Sequence, residues 1–369
     1  MGRGLAAAGL LAAQARVAGG LVAAGDPPFA GWVLRRAAGT PRAEETTLAG
    51  VPASLIRPGR GRGAWPAVVL LPGVTRRGRF HPALQRLAHG LAAAGHLAAI
   101  VEPLGLCAGM LTPQLVAQAR TALLEVADRP DARAGRVALL GVSAGGTTAL
   151  LCAQEPGVAN RISAVAVLAP CCDIEQAIRV VTTARVREGA QLRPFESGEL
   201  FRLVVARSLV ACVPPGPGRD LLVAHLVSLP EYGPDPLEAM RSWPADDVEE
   251  GVRAALSVLA NRDPARFDSL YAALGAELRD ALHALSAVEG APRIEAPVEV
   301  VIARADKYIP RADADAFVSR CPTARLTVLA SLSHAVPRLT ARAAGDLARL
   351  DGALVRFLAA ARRSSYSPR

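Results

Sequence analysis

Lysine is nearly absent from this chain of 369 residues: Lys307 stands alone, and the formal net charge of +9 is carried by scattered arginines. A nucleic-acid binder gathers its basic residues on one face or interleaves them with aromatics. Aromatics make up only 4% of this chain and the arginines show no such clustering, so nucleic acid is not expected as a partner. The six cysteines, at 107, 152, 171, 172, 212 and 321, include no C-x-x-C pair and no histidine at zinc-site spacing. That excludes a zinc finger or ribbon, and neither a metal nor any other cofactor is expected. Most of the cysteines lie in apolar runs, as small buried hydrophobes of a reducing compartment do, so a disulfide framework is not expected either.

Long uninterrupted apolar runs are missing as well. The nearest candidate, Gly4 to Ala24, carries Gln14 and Arg16 near its middle. An arginine there costs about 2.5–3.5 kcal/mol on insertion scales, and Ala and Gly offset little of it. A soluble or surface-lying helix and a cytoplasmic protein are therefore expected. The alternative is a cleaved signal peptide or a membrane contact through this segment, since Arg3 precedes a short apolar run.

What the chain does contain is core material: 51% of its residues are hydrophobic. With so few aromatics, the interior must be built from Ala, Val and Leu, which suits helices packed closely on a sheet. The length exceeds the usual ceiling for one compact core, which favours one large domain with an insertion, or two domains. Glu45 to Leu48 and Val51 to Ile56, with Ala49-Gly50 between them, read as a hairpin. Continuous apolar strands then alternate with helices of 3.6 periodicity. The strands are Ala67 to Leu71, Leu97 to Val101, Val137 to Val142 and Ala164 to Leu168. The intervening helices include one with Leu84, Leu87 and Leu91 on a face and one opened by Thr112-Pro113. Such alternation marks a mostly parallel central sheet covered by helices on both faces, an α/β fold. From Asp173 to Arg293 the rhythm gives way to helical patterns broken by prolines, too apolar for disorder and too long for a loop. It resumes with Val298 to Ala303, a helix around Ala312 to Cys321, the strand Leu326 to Ala330, and a last helix carrying Leu347, Leu350, Leu354 and Phe357. The expected organisation is an N-terminal helical extension, 1–43, a core of 44–172 with 294–369, and a helical insertion, 173–293.

Gly141-Val142-Ser143-Ala144-Gly145 matches G-x-S-x-G at a turn from a buried strand into a helix. Gly141 and Gly145 supply the small residues that a sharp turn needs on either side of an exposed serine. Two further parts follow in the chain order Ser, acid, His. Asp306 comes just past the strand ending at Ala303, and His334 just past the one ending at Ala330. Open α/β sheets form their sites at such strand ends. In this constellation His334 takes the proton of Ser143 as it attacks, and Asp306 holds the imidazole in the productive tautomer. The oxyanion then calls for two backbone donors, expected to be the N–H of Ala144, after the nucleophile, and that of Val74, after Pro72-Gly73. Asp173 is the rival acid, since it follows the strand after the elbow, but it opens a helix and is explained as its N-cap.

At these residues the chain resembles the α/β-hydrolase superfamily, over about Glu45 to Cys172 and from Pro297 onward. The elbow Gly141 to Gly146, Asp306-Lys-Tyr-Ile-Pro310 and the His334 loop are similar to those of esterases, lipases and related acyl hydrolases. Two departures stand out: Leu-Pro-Gly-Val replaces the His-Gly of many esterase oxyanion loops, and serine replaces the cysteine of dienelactone hydrolases. The resemblance implies a cofactor-free serine hydrolase acting on a small-molecule carboxylic ester or thioester, with 173–293 as a cap lining the pocket. An acyltransferase or amidase/peptidase on the same triad, and a non-catalytic binding protein on this fold, are the alternatives. Arg76, Arg77 and Arg79 beside the oxyanion loop meet either an anionic substrate group or only solvent.

Overall fold

A computed structural model describes residues 39–363 apart from 62, 232, 245–247 and 338–342. Most of the expected 1–43 extension therefore lies outside the described residues. Among the described residues no helix is long and apolar enough to cross a membrane.

Eight strands form one sheet: β1 (Arg42–Leu48), β2 (Val51–Arg57), β3 (Trp65–Leu71), β4 (Leu97–Val101), β5 (Ala132–Val142), β6 (Ile162–Leu168) and, beyond a small separate hairpin β7 (Arg185–Glu188) and β8 (Gln191–Pro194), β9 (Val298–Ala303) and β10 (Ala324–Leu329). Their spatial order is β1-β2-β4-β3-β5-β6-β9-β10. The pairs β1–β2 and β2–β4 are antiparallel, and every later pair is parallel. The chain moves one way from β3 to β4, then crosses back over β3 to β5. The order of winding thus reverses between β3 and β5, and open sheets bind their ligands just beyond such a reversal.

Side chains alternate between the faces of each strand. Val69 and Leu71 point to one face, with α2 (Pro113–Asp128), α3 (Ala144–Ala153) and α11 (Arg311–Arg320), while Val68 and Leu70 point to the other, with α1 (Pro82–Ala93) and α12 (Ala343–Ala361). Both faces are covered, which is why these strands are apolar throughout. Thr112 caps α2, its hydroxyl accepting from the Leu115 N–H at 3.2 Å, and Pro113 opens the first turn.

Between β6 and β9 lie α4 (Ile174–Thr183), α5 (Glu199–Ala211), α6 (Pro217–Ser228), α7 (Pro236–Arg241), α8 (Glu250–Ala260), α9 (Phe267–Ala272) and α10 (Ala276–His283). This segment is not wholly helical, because the hairpin β7–β8 turns through Gly189 at φ +59°. Two arginines are buried here with their charges answered. Arg179 pairs with Glu175 and Asp268 over the Phe267 ring. Arg207 donates to the carbonyls of Ala108, Leu226, Val227 and Leu229, tying the C-terminal end of α6 to the core loop before α2. A cation at the end of a helix also meets the negative end of its dipole.

Two other expectations need correction. Leu347 is 48% exposed; the rest of the expected stripe of α12, Leu350, Leu354 and Phe357, does pack inward, joined by Ala353, Leu358 and Ala361. β5 starts at Ala132 rather than Val137, and its pairing with β3 is irregular between those two residues.

His96, just before β4, is fully buried, and its Nδ1 has no hydrogen-bond partner among the described residues. Burial, helped by the charge of Arg362, holds its pKa down to about 3. In the unfolded chain the group titrates near 6.5. Between those values the unfolded state binds the extra proton, so stability is intact above about pH 6.5 and falls as the pH drops, by up to about 1.4 kcal/mol per unit. Urea unfolding should show about 2 kcal/mol lost to this group between pH 7 and pH 5. His96→Phe should flatten that part of the slope, and an unchanged slope would assign the acid sensitivity to other groups.

Candidate active site

The turn from β5 into α3 is set by glycines and by one residue in the left-handed region. Ser143 has φ +52° and ψ −122°, a conformation few non-glycine residues adopt. A Cβ on Gly141 would run into the Gly145 carbonyl, and one on Gly145 into the carbonyls of Leu71 and Pro72. Both neighbours are backbone and cannot rotate aside. Gly145→Ala is therefore expected to destabilise by about 3 kcal/mol or more in urea unfolding. At Gly157 an added Cβ meets nothing within 4 Å. Gly157→Ala should be near neutral, and equal losses at the two positions would contradict the close approach.

The strained turn lifts the Ser143 side chain above the sheet while its N–H stays bonded to the Leu168 carbonyl at 2.8 Å. His334 Nε2 lies 3.1 Å from Ser143 Oγ, and His334 Nδ1 lies 2.8 Å from Asp306 Oδ2. The other oxygen of Asp306 accepts from the N–H groups of Tyr308 (2.8 Å) and Ile309 (3.2 Å), which fixes the carboxylate on the loop after β9. Tyr308 also packs edge-on against the imidazole, with ring centroids 4.9 Å apart. The Asp306 side chain is 5% exposed and that of His334 16%. The three residues singled out from strand ends thus meet in one unbroken relay. Asp173, by contrast, accepts the Gln176 N–H at 3.1 Å as the N-cap of α4.

Ala144 is the first residue of α3, so its N–H has no acceptor within the helix. Gly73, next to Val74, abuts the end of β5: a Cβ there would lie 3.3 Å from that of Ser143. Val74, Ser143, Ala144 and His334 border one cavity of about 730 Å³. Ile174, Phe201 and Val204 of the helical segment border it from above. Cys171 lies on the same wall, but burial pushes its thiol well above the ordinary value, so it offers no thiolate. Arg76 pairs with Glu231 and Arg79 with Glu45 and Glu102, so both guanidinium groups already have carboxylate partners. Among the described residues no group of three or more His, Cys, Asp or Glu is arranged to hold a metal ion.

Two supporting residues escaped the sequence. The Thr147 hydroxyl donates to the Cys171 carbonyl (2.8 Å) and accepts the Cys171 N–H (3.1 Å), locking α3 to the loop after β6. Asp313, buried in α11, accepts the N–H groups of Cys172 (2.6 Å) and Asp173 (3.0 Å), and burial pushes its pKa up to about 8. Nothing local marks either one: each is a polar residue on a helix whose partners lie over 20 positions away.

The strand order, the winding reversal at β3/β5 and a serine at the turn after β5 define the α/β-hydrolase fold. No family model matches the chain, and no curated protein matches it in sequence. Among solved structures it is similar to dipeptidyl peptidase 4 of Porphyromonas gingivalis, at 12% identity and a TM-score of 0.48, covering 86% of this chain but only 35% of that one. It is similar to the protein Est1E of Butyrivibrio proteoclasticus, at 12% identity and a TM-score of 0.48, over 86% of this chain and 98% of that one. An esterase of Pyrobaculum calidifontis is 16% identical over 89% of this chain and 90% of its own, with a TM-score of 0.47.

Proposed function

We propose that this chain is a serine hydrolase that cleaves a carboxylic ester or thioester through an acyl-enzyme. The observation that carries the reading is the relay Ser143–His334–Asp306, with spans of 3.1 and 2.8 Å, at the strained elbow. Ser143 Oγ attacks the carbonyl carbon while His334 Nε2 takes its proton, and Asp306 steadies the imidazolium. The negative oxygen is met by the N–H groups of Val74 and Ala144, reinforced by the positive end of α3. His334 returns the proton to the departing alkoxide or thiolate. Water, deprotonated by the same imidazole, then attacks the acyl-Ser143 carbonyl; the bond from that carbon to Oγ breaks, His334 returns the proton to Oγ, and the acid leaves. On this reading residues 173–293 are a cap over a core of 44–172 and 294–369, and the cap supplies Ile174, Phe201 and Val204 to the pocket wall. Incubation with p-nitrophenyl acetate should give acetate and p-nitrophenol in equal amounts. Acetyl transfer to an added alcohol or amine in place of water would instead mark a transferase.

A further inference from the structure

The sheet is sealed unequally on its two faces. Toward α2 and α3 the central side chains Leu139, Val165 and Val167 are fully buried. Toward α1 and α12, Val142, Ala166 and Leu168 are only half-buried, although they belong to strands in the middle of the sheet. Register places Leu140, Ala166 and Glu299 in one row across β5, β6 and β9, and Val142, Leu168 and Val301 in the next. Both rows form the floor of the cavity that opens on Ser143 and His334, with Leu87 and Leu91 of α1 and Leu350 and Leu354 of α12 as its walls.

Among the described residues the floor and walls of this crevice are almost wholly aliphatic side chains, and a crevice so lined takes up an apolar group. The one charged side chain on the floor, Glu299, is neutralised by Arg356, whose Nε and second terminal nitrogen lie 2.6 and 2.7 Å from its two oxygens. This pair stands on the row farther from Ser143. Leu140 is three positions before Ser143, about 10 Å along the strand. That distance spans roughly eight tetrahedral carbons at about 1.5 Å per bond.

Resting on the reading of Ser143 as the acylated nucleophile, we propose that the substrate carries an aliphatic chain of about eight carbons or more, and that this chain lies between α1 and α12 along the back of the sheet. The chain belongs either to the acyl group or to the alcohol, and two ester series separate these. One is p-nitrophenyl acetate, butyrate, octanoate and decanoate; the other is ethyl, butyl and octyl acetate. In one series kcat/KM should rise at least about 30-fold from the shortest member to the eight-carbon one, a modest share of what buried methylenes supply. Ala166→Phe, which fills the floor, should cut that ratio at least about 10-fold. Leu87→Trp, which narrows the crevice from a helix surface, should lower it too and serves where Ala166→Phe does not fold. Calorimetric titration of Ser143→Ala with monomeric decanoate supplies a readout independent of turnover: saturable binding is expected, weakened in the double variant with Leu87→Trp. If decanoate binds but wild type cleaves no ester, the serine reading fails and the crevice stands. If short esters are cleaved, neither series favours the longer chain and decanoate does not bind, the crevice proposal is overturned and the serine reading stands.

Discussion

Ser143→Ala is expected to lower kcat on p-nitrophenyl acetate by about 10³-fold or more while leaving the urea midpoint close to that of wild type. The loss is large because the three side chains act as a unit: without Oγ, His334 and Asp306 have no proton to move. Stability is spared because, among the described residues, the Ser143 hydroxyl bonds to His334 alone, and because alanine is as able as serine to hold φ +52° under the same surroundings. Backbone ties at this position, from its N–H to Leu168 and from the Thr147 N–H to its carbonyl, are untouched. Near-normal turnover by the variant would remove the nucleophile from the account. A collapsed fold would mean the hydroxyl carries structure that the contacts do not suggest.

Asp306→Asn should lower kcat by roughly 10⁴-fold, with little change in stability. Asparagine keeps one carbonyl oxygen, so it still accepts from Tyr308 and Ile309 and the loop after β9 survives. Its amide group then faces His334 Nδ1, where a carboxylate oxygen stood at 2.8 Å. Donor meets donor, and the imidazole is driven to the tautomer with its proton on Nε2, which cannot accept from Ser143. Asp173→Ala provides the contrast. It removes the N-cap of α4 and should cost about 1 kcal/mol in unfolding with kcat within a few fold of wild type. Reversal of these two results, with turnover surviving at 306 and collapsing at 173, would reassign the acid.

The parts of the fold that could be read in advance share one property: their signal is local. β3, β4, β6 and β9 announce themselves as short apolar runs because both sheet faces are covered, and the elbow because its two glycines and serine fall within five consecutive residues. Asp306 and His334 could be chosen because each follows such a strand, although what brings their side chains together is the pairing of β6, β9 and β10. Where the determinant is a distant partner, the pattern misleads or is silent. Leu347 fits the periodicity of α12 yet lies exposed, while Ala353, Leu354 and Phe357 further along the helix are buried. Arg185 to Glu188 reads as a continuation of helical sequence until Ala184, at φ +52°, ends α4 and Gly189 turns the chain back on itself. Glu299 looks like an interruption in an apolar strand, and only Arg356, 57 positions later, accounts for it. The cavity is the extreme case, since it is defined by side chains from β5, β6, β9, α1 and α12 that fail to meet.

The serine mechanism stands or falls most directly on where an irreversible acyl mimic attaches. A fluorophosphonate should add one phosphonyl group per chain, and peptide mass analysis should place it on Ser143 within the tryptic peptide Val137–Arg161. His334→Ala should slow the labelling by about 10³-fold, because the hydroxyl then lacks its base. A phosphonyl group on any other residue, or continued ester turnover in a chain that takes up no label at all, would contradict the account.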